Sequence, residues 1–170
     1  MKVRRVRPHD AASVVTLMQK LDGESEFLLY EPGERSVCVE EQQEILTSFT
    51  EQSHKVMFVV ENENALSGFL SATGSTIKRK KHVANFTMGL LKSAGGRGLG
   101  KTLLSHLEVW AEQNAVTRLE LSVMCDNERA VGLYQSQGYQ IEGTKVNSVK
   151  LKDRYVDGYL MAKILPEIPT

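Results

Sequence analysis

The chain opens with valines set among basic residues, KVRRVRP over 2–8, the pattern of a strand with one covered face. The period then lengthens. Asp10 is placed to cap a helix in which Val14, Leu17, Met18 and Leu21 share one side. Residues 22–36, DGESEFLLYEPGERS, hold several acids with Pro32 and Gly33 and read as a loop. A second helix is predicted over 39–49, with Ile45, Leu46 and Phe49 as its buried side. Strand character follows in KVMFVV and ALSGFLSAT, which flank the turn residues Glu61-Asn62-Glu63-Asn64. HVANFTMGLL is a further strand, interrupted near its end by Gly89. A strongly amphipathic helix starts at Leu99 and carries Leu103, Leu104, Leu107, Trp110 and Ala111 on one face. RLELSVM alternates again, a short helix spans 128–136, and Gly138 caps it. Two last strands, YQIEGTKVNSVKL and RYVDGYLMAKIL, turn at Lys152-Asp153.

This order predicts an α+β or mixed α/β fold and excludes a repeated βαβ array. With 170 residues the chain suits one domain. Lys+Arg and Asp+Glu both number 21, so no excess of basic charge points to a nucleic-acid partner. No apolar run approaches the roughly 18 residues that span a bilayer. The basic start lacks the apolar stretch of a secretion signal, so the expectation is a soluble cytoplasmic protein without a membrane partner. Cys38 and Cys125 lack metal-ligand spacing and are expected as buried or half-buried thiols. The four histidines are scattered, and no metal is expected.

One stretch can be parsed in two ways. Residues 95–102, GGRGLGKT, satisfy the P-loop pattern Gly-x-x-x-x-Gly-Lys-Thr, which wraps nucleotide phosphates. They also read as a glycine-rich turn opening a helix, which can hold the diphosphate of another cofactor. A P-loop needs a second hydrophobic strand ending in a Mg²⁺-holding carboxylate. The candidate here is Asp126, after a strand whose Glu120 and Ser122 suit half-exposure rather than a buried parallel sheet. Downstream, DNERAVGLYQSQGY sets Asn127, Ala130 and Tyr134 on one side of a short helix.

Together, MGLLKSAGGRGLGKTLLSHLEVWA and LELSVMCDNERAVGLYQSQGY resemble the two cofactor motifs of the GNAT superfamily of N-acetyltransferases. The resemblance is specific over about residues 82–143 and extends plausibly along the whole chain. It implies a mostly antiparallel mixed sheet of about seven strands flanked by about four helices, forming one domain over 1–170. It also implies acetyl-CoA as co-substrate, a small-molecule or peptide amine as acceptor, and a homodimer as one open arrangement. Met88, Gly89 and Leu90 match the strand that holds the pantetheine arm, with Gly89 expected to permit close approach and the Leu90 N–H to face the thioester oxygen. Gly95, Gly96, Arg97, Gly98, Leu99, Gly100 and Lys101 match the diphosphate turn, and Asn127 matches a cofactor-contacting asparagine. Gly95 departs from the pattern, because the family usually has Gln or Arg there; backbone amides, the helix dipole, Arg97 and Lys101 must then carry the phosphates.

By the same resemblance, Tyr134 is the general acid toward the departing thiolate. Its reference pKa of about 10 against about 8.5 for a thiol makes full proton transfer uphill by roughly 2 kcal/mol. Ser122 stands where some relatives carry a basic glutamate; Glu120 and ordered water are the open alternatives. Glu24, Glu26, Glu31 and Glu34 crowd a loop beside Phe27 and Tyr30, which suits either a cationic acceptor or an ordinary acidic surface. Tyr30, Glu31 and Glu34 are the acceptor-side candidates. Two other readings stay open at this point: a non-catalytic acyl-CoA-binding module and a P-loop nucleotide-binding protein.

Overall fold

The structure is a computed structural model that describes residues 1–167. Seven strands form one sheet: β1 (Lys2–Arg5), β2 (Lys55–Asn62), β3 (Ala65–Gly74), β4 (Val83–Leu90), β5 (Arg118–Met124), β6 (Gln140–Leu151) and β7 (Arg154–Ile164). Four α-helices accompany it: α1 (Ala11–Glu24), α2 (Val39–Glu51), α3 (Leu99–Gln113) and α4 (Glu128–Ser136). The strand order is β1-β2-β3-β4-β5-β7-β6, so β7 returns between β5 and β6. Hairpin neighbours are antiparallel, and the single parallel pair among the described residues, β4 with β5, needs the crossover that α3 supplies. No helix among the described residues is long and apolar enough to cross a membrane.

β2 explains why its sequence is apolar without interruption. Val56, Phe58 and Val60 join a core with Leu103, Leu104, Leu107 and Trp110 of α3. Met57 and Val59, on the other face, join Val14, Leu17 and Leu21 of α1 and Leu46 of α2. Both faces of this strand are covered, so alternation disappears.

Three sequence expectations are corrected. The first helix runs on through Asp22, Gly23 and Glu24 instead of ending at residue 21. Asp22 faces inward, only 3% exposed, and its carboxylate accepts from Arg35 Nε at 2.6 Å, which holds the extra turn despite the glycine. On α2, Leu46 is fully buried while Ile45 is 44% exposed, because its position turns away from the narrow contact stripe. Cys38 is exposed rather than buried. It caps α2, its Sγ accepting from the Glu41 N–H while Glu41 Oε2 accepts from the Cys38 N–H, the reciprocal arrangement usual for serine.

Asp10 also serves differently from a simple cap. Its carboxylate accepts from Arg4 Nη1 at 2.8 Å, Arg4 Nη2 at 2.9 Å and the Arg7 N–H at 2.7 Å, while Arg4 also reaches Glu61 Oε1. The network pins the end of β1, the start of α1 and β2 together. Burial opposes ionisation of Asp10, but the Arg4 and Arg7 bonds outweigh it and hold its pKa below the ordinary value. A depressed carboxylate stabilises the fold above its unfolded pKa of about 4 and loses that contribution as the pH falls through the folded value. Acid unfolding at pH below about 4 should therefore weaken in Asp10→Asn, which at neutral pH should cost about 3 kcal/mol by urea titration.

Tyr139 is buried with its ring edge-on to Phe86 and Tyr134, at centroid separations of 5.7 and 5.8 Å. Its hydroxyl has no hydrogen-bond partner among the described residues. Removing an unsatisfied buried hydroxyl is favourable, so Tyr139→Phe is expected to raise stability by about 1 kcal/mol in the same titration.

Candidate active site

The parallel seam between β4 and β5 is short. Val83 pairs with Arg118, Ala84 with Leu119 and Asn85 with Glu120, and the ladder stops there. Beyond it, Phe86–Leu90 stay bonded to β3 and Leu121–Met124 to β7, so the two strands leave a notch in the sheet. Backbone parity identifies the groups that face it. The Val83 carbonyl and the Leu91 N–H both bond toward β3, to the Ser75 N–H and the Ser67 carbonyl. Odd-numbered residues of β4 therefore point their backbone groups at β3, and Met88 and Leu90 present theirs to the notch.

Gly89 pairs regularly with Phe69, with no bulge. A Cβ added there would lie 3.0 Å from Phe69 Cε1 and 3.3 Å from Leu21 Cδ1. Packing beneath α1 thus accounts for the missing side chain, on a face of the sheet rather than at the notch edge.

At the exit of β4 a short 3-10 turn, Lys92–Ala94, leads into the glycine stretch. Gly96 and Gly98 adopt φ of +75° and +73°, the left-handed region that favours glycine. The first bond into α3 is from the Thr102 N–H to the Gly98 carbonyl. Among the described residues, the six amides from Gly96 to Lys101 donate to no protein acceptor. Such a row of N–H groups at a helix start is a cradle suited to an anion. Gly100 serves packing instead: a Cβ there would lie 2.7 Å from Leu133 Cδ2 and 3.5 Å from Met88 Cε, so its absence seats α3 against α4 and β4.

The residues of the P-loop alternative are engaged within the protein. The Thr102 hydroxyl donates to the Gly98 carbonyl, and Asp126 accepts from Arg154 at 2.8 Å. Among the described residues no group of three or more His, Cys, Asp and Glu side chains is placed to hold a metal ion.

On α4, Asn127 Oδ1 accepts from the Ala130 N–H and caps the helix. Tyr134 is 6% exposed, edge-on to Phe86 at 6.0 Å. Its hydroxyl makes no hydrogen bond with any described residue. Burial pushes its pKa well above the ordinary value, so it stays protonated and keeps an O–H to donate.

The acidic loop lies partly against this site. Glu24 Oε2 accepts from the Lys92 N–H at 2.8 Å, tying the end of α1 to the exit of β4. Arg35 pairs with Asp22 and covers the Tyr30 ring at 4.2 Å. Glu34 accepts from the Glu31 N–H, closing a turn around Gly33. Glu120 is held by Arg118, which also binds Glu142. A cavity of about 460 Å³ between α3 and the β1–β2 edge, lined by Phe58, His106 and Trp110 among others, contains none of the site residues. The Glu24–Lys92 tether had no signal in the sequence beyond the crowding of acids.

The sequence pattern of the acetyltransferase (GNAT) family matches residues 21–139, and the chain belongs to that family. It is 33% identical over 87 residues to the L-amino acid N-acetyltransferase AaaT of Escherichia coli, a match covering 51% of this chain and 54% of that protein. The chain thus spans about half the length of that curated relative. Its fold superposes on a GNAT-family acetyltransferase from Streptococcus pneumoniae with a TM-score of 0.92 and 26% identity, over 97% of this chain and 99% of that one. It also superposes on yncA from Salmonella typhimurium, solved with its cofactor acetyl-CoA, with a TM-score of 0.85 and 16% identity over 100% and 96% of the chains.

Gly98→Ala would place a Cβ in the left-handed region that opens α3. The expected outcome is a loss of about 1–2 kcal/mol, read as a lower urea midpoint.

Proposed function

We propose that this protein is an acetyl-CoA-dependent N-acetyltransferase, one domain over residues 1–170, that acetylates a primary amine of a small molecule or peptide by direct attack in a ternary complex. The observation that carries the reading is the run of free amides from Gly96 to Lys101 opening beside a notch that the Leu90 backbone faces. The amides suit the diphosphate of acetyl-CoA, with the charges of Arg97 and Lys101 and the dipole of α3 adding to them. The exposed edge of β4 at Met88 and Leu90 suits the amides of the pantetheine arm as an added strand would. Asn127 holds the start of α4 at the other side of the cradle.

Acetyl-CoA supplies an acetyl thioester. The amine nitrogen bonds to the thioester carbon, the carbon–sulfur bond breaks, and the amine loses a proton. The Leu90 N–H stabilises the charge developing on the thioester oxygen, a contribution often worth about 10²–10³ in rate. Tyr134 donates a hydrogen bond to the departing sulfur; with its pKa raised, it gives up the proton only late. Because Glu120 is engaged by Arg118, the amine proton leaves through water. Glu31, Glu34 and Tyr30 lie on the loop through which the acceptor approaches, and the acids favour a cationic amine. The relative from Escherichia coli makes the α-amine of an L-amino acid the first acceptor to assay.

Thermal shift with acetyl-CoA, CoA and Mg-ATP in parallel tests the reading. At 100 times its Kd a ligand adds about 2.7 kcal/mol. Stabilisation by acetyl-CoA with thiol release on adding amines is expected. Stabilisation without turnover on any amine would indicate a non-catalytic acyl-CoA-binding module, and a response to Mg-ATP alone would sink the acetyltransferase reading. Tyr134→Phe should lower the acetylation rate about 10²–10⁴-fold while acetyl-CoA still binds; an unchanged rate would reduce Tyr134 to packing.

A further inference from the structure

The cradle lacks a side chain at its first position. A Cβ built on Gly95 would lie 2.8 Å from Nη2 and 3.2 Å from Nη1 of Arg129. The guanidinium therefore occupies the space that a side chain at 95 would use on leaving the backbone. It arrives from a different element, the first turn of α4, two residues beyond the Asn127 cap.

Arg129, like Arg5, Arg79 and Arg97, forms no ion pair with a described residue, but it alone of these is placed against Gly95. Arg4, Arg35, Arg118 and Arg154 each form an ion pair, whereas Arg129 is exposed and makes no hydrogen bond or ion pair with any described residue. Its five N–H donors thus lie beside Gly95, where the run of six free backbone donors begins. Such an arrangement is ready to receive an anion with several oxygens. A diphosphate satisfies both sets at once, and the planar guanidinium fork fits two of its oxygens better than an ammonium would.

We infer that Arg129 is a cofactor-binding residue that contacts the diphosphate of acetyl-CoA and supplies, from α4, the side-chain donor that Gly95 lacks. The inference rests on the acetyl-CoA reading above. A side chain at 95 would have to displace the guanidinium from its place beside the turn.

The test uses the full chain as wild type, Arg129→Ala, and Arg129→Ala combined with Gly95→Gln. Calorimetric titration is done with acetyl-CoA and with acetyl-dephospho-CoA, which keeps the diphosphate and lacks the 3′-phosphate. The expected result is a roughly tenfold weaker Kd for both ligands in Arg129→Ala, an unchanged urea midpoint, and recovery of most of the loss in the double variant. Unchanged affinity would overturn the inference, as would a loss confined to acetyl-CoA, which would place Arg129 on the 3′-phosphate. A loss accompanied by a lower midpoint would assign Arg129 to structure, and no recovery with Gly95→Gln would overturn the replacement of a residue-95 donor. A wild type that binds neither ligand would instead end the acetyl-CoA reading itself, a result separable from every variant effect.

Discussion

Everything in this molecule turns on a parallel ladder that ends after three residue pairs. Had β4 and β5 stayed paired along their length, Met88 and Leu90 would spend their backbone groups on β5, as buried backbone ordinarily must. Because they part at Asn85 and Glu120, a strand edge is left open in the middle of a sheet rather than at its rim. β3 and β7 keep each half in place from the outside. The same crossover that makes the pairing parallel brings the start of α3 to the open end, so unpaired strand and unpaired helix amides meet.

Keeping such a gap open requires stiffness on both faces. The larger core, with Phe58, Leu70, Phe86, Leu103, Leu107 and Trp110, lies between the sheet and α3, and it reaches Tyr134 and Tyr139. The second core joins α1 and α2 to the opposite face through Leu17, Leu21, Leu46 and Phe69. Gly89 and Gly100 each delete a side chain where these layers come closest to the site, one beneath α1 and the other against Leu133. The site's own glycines thus divide by purpose: Gly96 and Gly98 turn the chain, and Gly89 and Gly100 let elements touch.

Much of this was legible in the residues. The α3 stripe from Leu103 to Ala111, the alternation of RLELSVM, and the hairpin turns are local signals, and they fall where periodicity and breakers place them. The family followed from two motifs whose spacing is fixed by one crossover. What local pattern could not contain was pairing at a distance: β7 inserts between β5 and β6, and the seam stops at three pairs. Partner choice was equally hidden. Asp10 reads as a cap until Arg4 is folded onto it, Arg35 has five nearby acids and takes the buried Asp22, and Arg129 is an ordinary helix arginine until Gly95 lies under it.

α2 is held to the body by a slender contact, since Leu46 alone among its residues is fully buried. The segment joining it to α1 carries the acids and Tyr30; Asp22 with Arg35 ties its two ends together, and Glu24 holds the α1 end at Lys92. Substitutions along that stretch disturb few neighbours, so they cost little folding energy. If this segment receives the acceptor as proposed, drift in this outer layer exchanges one acceptor preference for another while the glycine turn and α4, seated on the deeper core, stay as they are.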